Sequence, residues 1–176
     1  MSRTTISETN LAFKTPLKPR QKTRRFTLHW QGPLPAGFDL AKVTMPWIHE
    51  IHIRERGWSG GGYHYLIKAD AVIERGRPRW ALGAHDEGEN ADSMGICVVY
   101  REKPTDAQIE ALVALLADLA EIYGQFPDQK DPDTGKETVD GHRDNEPPET
   151  PTECPGDALY AMLPEIRRRA REALGY

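Results

Sequence analysis

Three side chains of the types that bind zinc lie far apart in this sequence. His29 ends a strand-like run, His142 lies in "VDGHRDN", and Cys154 lies in "TECPGDALY" just before a predicted helix. Two imidazoles and a thiolate form a good ligand set for Zn²⁺ and leave a fourth position to water, as in catalytic zinc sites. The chain has six histidines and neither a CxxC nor an HExxH pattern. These residue types alone therefore permit a zinc site without establishing one.

The two cysteines are expected to have different roles. Cys97 lies in the apolar run "MGICVVY" and is predicted to be part of the core. Cys154 is followed by Pro155 and Gly156, which allow a sharp turn, and a position beside a helix N-terminus lowers the pKa of a thiol. Two cysteines cannot form a disulfide scaffold, so that class of small fold is excluded.

The strand-like segments that must position these residues are mixed with helices. "RRFTLHW" and "SMGICVVY" are rich in β-branched and aromatic residues. Two shorter runs, "YHYLIKAD" and "AVIERG", predict a hairpin at the Ala69-Asp70 turn. Together with the helices, these strands predict an α/β fold with a mixed central β-sheet flanked by helices.

Three helices are predicted from apolar periodicity and capping residues. Thr44 begins the helix of "TMPWIHEIHIRERG", and Thr105 with Gln108 forms a capping box for the helix of "TDAQIEALVALLADLAEIYG". A last helix is expected over residues 157–173. Residues 125–151 are rich in Asp, Glu and Pro and are predicted to form a long loop that is either functional or disordered.

The net charge of −4 is unevenly distributed. Lys and Arg greatly outnumber the single acid Glu8 over residues 1–24, which we predict to be a basic and flexible N-terminal arm preceding a catalytic domain of residues 25–176. A basic arm attracts an anionic wall polymer, an acidic lipid or nucleic acid. A merely solvated terminus is an equally good interpretation.

Other classes of protein are excluded by simple patterns. No run approaches the roughly 18 apolar residues of a membrane span, and the first residues lack the apolar stretch of about 7–15 residues found in secretory signals. No repeat occurs at the periods of about 20–50 residues that mark solenoids and propellers. We therefore expect synthesis in the cytoplasm without a signal peptide.

Five blocks in fixed order carry a resemblance to a known family. They are "FTLHW", "GWSGGGYHYLI", "GAHDEGENADSMGICVV", "VDGHRD" and "TECPGDALY". Over roughly residues 24–174 the chain resembles the zinc-dependent N-acetylmuramoyl-L-alanine amidases, which include phage amidase-type lysozymes and peptidoglycan recognition proteins. The resemblance implies the fold of that family and hydrolysis of the amide between N-acetylmuramic acid and L-alanine.

The resemblance also implies roles for individual residues. His29, His142 and Cys154 match the ligands of Zn²⁺. Tyr63 matches the tyrosine beside the metal, where it would orient water or relay a proton, and Thr152 matches a position that assists oxyanion stabilisation. The identity of the general base stays open.

Three further residues are implied to contact the substrate. His64 follows Tyr63 in the "GYH" segment, His85 lies in "GAH", and Asn90 begins an "N-x-x-S-x-G" stretch. All three are expected near the groove that holds the muropeptide. The second ring nitrogen of His142 is expected to bind either Asp144 or a backbone carbonyl.

The chain departs from the family pattern at three places. Trp30 follows His29 where a second histidine is frequent, and the loop of residues 125–141 is longer and more acidic than usual. Thr152 stands where some phage enzymes have lysine, which removes a positive charge from the site.

These observations favour a phage or prophage endolysin that acts as a monomer on peptidoglycan and reaches the wall after release by a separate pore. One alternative is a non-catalytic peptidoglycan-binding protein on the same fold, although all three ligand types are present. Another is a cytosolic amidase that recycles soluble muropeptides. A third is an amidase that also binds a polymerase or nucleic acid, which only the basic arm favours.

Overall fold

A six-stranded sheet forms the centre of the molecule in the computed structural model, which describes residues 3–175. The strand order is β1-β4-β3-β5-β2-β6. The strands are β1 (Ile6–Ser7), β2 (Arg25–Trp30), β3 (Tyr65–Ile67), β4 (Ile73–Arg75), β5 (Ser93–Val98) and β6 (Val139–Gly141). Only the β3–β4 pair is antiparallel, so the sheet is mixed as predicted, and the hairpin is confirmed.

Four α-helices pack on this sheet. They are α1 (Met45–Arg56), α2 (Asp106–Tyr123), α3 (Asp157–Ala161) and α4 (Leu163–Ala173). The predicted caps are confirmed: Thr44 Oγ1 accepts a hydrogen bond from Trp47 N, and Thr105 with Gln108 forms the capping box of α2. None of the helices within residues 3–175 is long and apolar enough to cross a membrane.

The two faces of the sheet contact different helices. Phe26 and Leu28 of β2 point into the larger apolar core, which also includes buried residues of α2 and α4. His29 alternates to the other face, where its register partner Cys97 belongs to a smaller cluster with Met45 of α1. The end of β2 therefore presents His29 to the space beside α1.

Two elements differ from the prediction near the C-terminus. Residues 125–151 are not loop throughout, because Val139–Gly141 pair with β2 as the edge strand β6. The last helix divides at Met162 into α3 and α4, and Pro164, which has no N–H, lies in the first turn of α4.

The N-terminal segment is part of the fold in its described residues, which corrects the expectation of a flexible arm. Ile6 pairs with Ile73 of β4, and the backbone N–H groups of Arg3 and Thr4 donate to Asp118 of α2. The Arg3 side chain also pairs with Asp118 and Glu121, so this end of the segment is held to α2.

The acidic loop before β6 is also held to the domain. Arg24 pairs with Asp131, at 3.1 Å, and with Asp133. Asp131 Oδ1 further accepts hydrogen bonds from the backbone N–H and the hydroxyl of Thr134 at 2.8 and 2.9 Å. The part of the predicted loop around Asp131 is therefore an ordered turn and not a disordered segment.

Candidate metal centre and cleft

The structure brings the three predicted ligand residues together. The donor atoms of His29, His142 and Cys154 all lie within 4.8 Å of one another. Cys154 Sγ is 3.5 Å from His29 Nδ1, and the two imidazole rings have centroids 4.6 Å apart. Such a cluster of two imidazoles and a sulfur has the composition of a zinc site.

The parallel register of two strands explains this convergence. Leu28 of β2 pairs with Gly141 of β6, so the next residues, His29 and His142, leave the same edge of the sheet side by side. Gly141 also has no room for a side chain, because a Cβ there would lie 2.8 Å from Pro155 Cδ. This close approach lets the segment after Cys154 pack against the end of β6.

Burial determines the protonation of the donor set. Desolvation lowers the pKa of His29 well below its usual value and lowers that of His142, so both rings are neutral and able to bind a metal. Burial raises the pKa of the Cys154 thiol to about 12, which corrects the expectation of a thiol acidified by the short helix α3. A cation beside the sulfur would reverse this shift, since a coordinating thiol is deprotonated outright. The residues therefore fit a divalent metal ion.

The imidazole rings of His29 and His142 each contact one further polar side chain. His29 Nε2 lies 3.0 Å from His85 Nδ1, and His142 Nε2 lies 2.8 Å from Glu146 Oε1. Asp144 is not the partner expected for His142, because its carboxylate accepts hydrogen bonds from Gly141 N and the Tyr160 hydroxyl. Glu146 lies in a proline-rich segment without regular spacing, and the sequence carried no signal for it.

A buried polar network lies behind His142. Asp86 Oδ1 is 3.9 Å from His142 Nε2 and forms no hydrogen bond within residues 3–175. Its Oδ2 accepts from Asn145 at 2.8 Å, and Asn145 Oδ1 in turn accepts from the fully buried Arg25 at 3.0 Å. Desolvation raises the pKa of Asp86 to about 7. The sequence analysis did not identify this network.

Tyr63 lies beside the cluster and directly follows three glycines, residues 60–62, two of which are hydrogen-bonded to helix α1. Its ring centroid is 5.0 Å from that of His29, and burial raises the pKa of its hydroxyl well above the usual value. The preceding glycine N–H groups donate to two histidines of α1: Gly61 N to His49 Nδ1 and Gly62 N to His52 Nδ1, both at 3.0 Å. These histidines therefore fix the segment that carries Tyr63.

Thr152 borders the same cleft. Its Oγ1 accepts a hydrogen bond from Cys154 N at 3.2 Å, which leaves the hydroxyl proton available as a donor. The cleft has a volume of about 750 Å³ and includes His29, His142 and Cys154 in its lining. Its other walls carry aromatic side chains that the sequence analysis did not assign: Phe38, Trp47 and Trp58.

The three predicted substrate contacts have different positions. His85 lines the cleft, where it contacts His29. His64 is fully buried and does not line the cleft, because its Nδ1 accepts from Gly95 N and its Nε2 lies 2.9 Å from Ala81 O. This corrects its expected place in the groove.

The Asn90 side chain forms hydrogen bonds to the backbone of a neighbouring turn. Its Oδ1 accepts hydrogen bonds from His85 N at 2.9 Å and from Asp86 N at 3.2 Å. The side chain therefore holds the turn that presents His85 and Asp86, and it does not line the cleft, which corrects the expected contact with substrate.

Comparisons with known proteins agree with this arrangement. Residues 19–157 match the family model described as N-acetylmuramoyl-L-alanine amidase, Amidase_2. Endolysins of Enterobacteria phage T3 and Klebsiella phage KP32 are 33% and 38% identical to the chain, each over 62% of this chain and 75% of the relative.

Solved structures show the same fold. N-acetylmuramoyl-L-alanine amidase LysC from Clostridium intestinale URNW has a TM-score of 0.76 and 30% identity, covering 94% of this chain and 97% of that chain. A complex of tracheal cytotoxin with the peptidoglycan recognition proteins LCa and LCx has a TM-score of 0.73 and 22% identity, covering 91% and 95% of the two chains, and shares the fold.

The buried His64 predicts a pH dependence of stability. Desolvation lowers its pKa from 6.5 to about 3, so between these values the unfolded chain binds a proton that the folded chain does not. The free energy of unfolding should therefore fall as the pH decreases through this window. Urea unfolding of wild type and His64→Gln above and below pH 6.5 tests this: the stability advantage of wild type should shrink on acidification. A difference that is independent of pH would contradict the assignment.

Proposed function

The chain belongs to the N-acetylmuramoyl-L-alanine amidase family, and from this premise we propose that it is a zinc-dependent hydrolase of the amide between N-acetylmuramic acid and L-alanine. The observation that carries the proposal is the meeting of His29, His142 and Cys154 within 4.8 Å at the cleft. A non-catalytic wall-binding protein has no need of a complete ligand set. The phage relatives named endolysins favour an endolysin. Access to the wall through a separate pore is part of the same proposal.

His29, His142 and Cys154 would hold Zn²⁺. When bound, the ion would polarise the scissile carbonyl and lower the pKa of water toward about 7. Neutral His29 and His142 are already in the protonation state that a ligand requires. His85 and Glu146 would keep the two rings in the orientation that faces the ion, as outer partners of metal ligands do.

Tyr63 and Thr152 would supply protons and hydrogen bonds to the reacting amide. Burial keeps the Tyr63 hydroxyl protonated at neutral pH, so it can orient the attacking water and relay that water's proton to the leaving amine. Thr152 Oγ1 already accepts from Cys154 N, and its own O–H can donate to the developing oxyanion.

The cleft fits a muropeptide as substrate. Its aromatic walls, including Trp58 and Trp47, offer apolar surface for sugar and peptide groups, while Arg56 and Glu55 add charges. Tracheal cytotoxin in the complex of recognition proteins of the same fold supports this class of ligand.

Replacing Cys154 by serine should remove metal and activity together. We expect Cys154→Ser to bind no stoichiometric zinc and to hydrolyse wall more than about 100-fold more slowly, because the charge stabilisation of the metal is lost. The control is Cys97→Ala, which removes the chain's other thiol from the core and should keep zinc. Metal analysis measures the zinc content, and turbidity assays on cell walls measure the rate of hydrolysis. Full lytic activity of Cys154→Ser would refute the ligand assignment.

Tyr63→Phe should separate chemistry from metal binding. Loss of the hydroxyl removes a proton donor, so we expect kcat to decrease by about 10²–10³-fold while zinc content stays unchanged. Steady-state kinetics on a soluble muropeptide, with metal analysis of the same samples, gives the result. An unchanged kcat would mean that Tyr63 is only a wall of the cleft.

Glu146→Gln should weaken the metal site without removing a ligand. Loss of the charge next to His142 Nε2 should lower the affinity for Zn²⁺ by about 10–100-fold. Competition with a chromophoric chelator measures this affinity. Glu149→Gln, an exposed acid in the same segment, is the matched control and should bind zinc as wild type does. Equal affinities of Glu146→Gln and wild type would show that the contact has no role in metal binding.

A further inference from the structure

A second groove lies away from the metal centre and shares no lining residue with the cleft. It has a volume of about 590 Å³ and is lined by residues 19–23, Arg79, Trp80 and the end of α2. Thr23 on this groove immediately precedes Arg24 and the start of β2, whereas His29 lies near the other end of that strand. The length of β2, about 16 Å, therefore separates the groove from the metal centre.

The groove exposes large apolar side chains. Trp80 is 57% exposed and Ile122 is 52% exposed, and both line the groove. Within residues 3–175, the only other exposed large hydrophobic residue is Val72, which is less open, at 42%. Clustered exposed apolar groups with a polar rim mark interaction surfaces, whereas single ones are normal.

The same groove carries cations without acidic partners. Lys22 and Arg79 are exposed and form no ion pair with a carboxylate within residues 3–175. No Asp or Glu lines the groove, although the chain as a whole has a net charge of −4. The local charge is therefore opposite to that of the molecule and complements an anionic ligand.

The groove is preformed by one partly buried guanidinium. Arg20 Nη2 donates to Thr23 Oγ1 at 2.7 Å and to Arg79 O at 2.5 Å, and Arg20 N donates to Trp80 O at 2.7 Å. These bonds join the N-terminal segment to the turn that carries Trp80. The backbone that carries the indole is therefore held in place, and binding need not order that turn.

We propose that this groove is a second wall-binding surface, which takes a peptidoglycan glycan strand together with its anionic stem peptides. The Trp80 ring would pack on a sugar ring, and Lys22 and Arg79 would bind carboxylates of the stem peptides. The proposal rests on the proposed function. Duplex DNA is disfavoured because, within residues 3–175, only two exposed cations face the groove and the molecule as a whole has a net charge of −4. A concave surface also suits a chain-like ligand better than a membrane.

A second binding site would increase the rate of hydrolysis of the insoluble polymer but not that of a small substrate. Two sites on one chain raise the effective concentration of the cleft along a strand, and a short muropeptide cannot span both. The groove should therefore affect hydrolysis of sacculi while leaving hydrolysis of a soluble muropeptide unchanged.

The test uses the zinc-loaded full chain with Trp80→Ala and Lys22→Ala combined. We expect kcat/KM on intact sacculi and cosedimentation with sacculi to fall by about tenfold, the effect of losing one aromatic anchor, and the rate on soluble muropeptide to stay the same. The control is Val72→Ala combined with Lys42→Ala, which removes one exposed apolar side chain and one exposed lysine outside the groove and should behave as wild type. Salt should weaken wild-type cosedimentation more than that of the variant.

Several results would overturn the groove assignment. The first is a variant that binds sacculi as wild type does, and the second is an equal loss of activity on the soluble muropeptide. The third is a variant that loses only its binding to duplex DNA or to anionic phospholipid vesicles, each measured by the same sedimentation assay. Failure of wild type to cleave either substrate would instead refute the proposed function, and cosedimentation with sacculi would still test the groove.

Discussion

The site depends on one constraint, the parallel pairing of β2 with β6. The pairing of Leu28 with Gly141 places His29 and His142 side by side at one edge of the sheet, although they are distant in sequence. The turn at Cys154 then packs against Gly141, where any side chain would collide with Pro155. The neutral imidazoles of His29 and His142 and the Cys154 thiol gain little from one another, so we propose a shared ion as the reason for their convergence.

A buried arginine sets the register of that strand pair. Arg25 is fully buried at the start of β2 and bonds Asp140 of β6 at 2.6 Å, while Glu89 and Asp92 approach from the segment before β5. An ion pair of this kind is costly to desolvate and adds little net stability, but it fits only one alignment of the strands. The same network reaches His142 through Asn145 and Asp86, so fold and site are coupled.

The sequence predicts those parts of the molecule that local patterns determine. The Thr105 capping box and the hairpin follow from short-range chemistry, and the family blocks predict a ligand set whose three members the structure brings together. Strand β6 was not predictable because "VDG" has three residues in a polar stretch and exists only through pairing with β2. The burial of His64 and the contact of Glu146 with His142 depend on tertiary packing, which neither composition nor spacing encodes.

The central claim concerns one ion bound by two nitrogens and a sulfur. Zinc K-edge X-ray absorption of the purified full chain measures this coordination directly. The account predicts one sulfur at about 2.3 Å and two imidazole nitrogens at about 2.0–2.1 Å, with the fourth position taken by a light atom. A spectrum with oxygen and nitrogen scatterers alone, or protein that retains no zinc after dialysis, would contradict it.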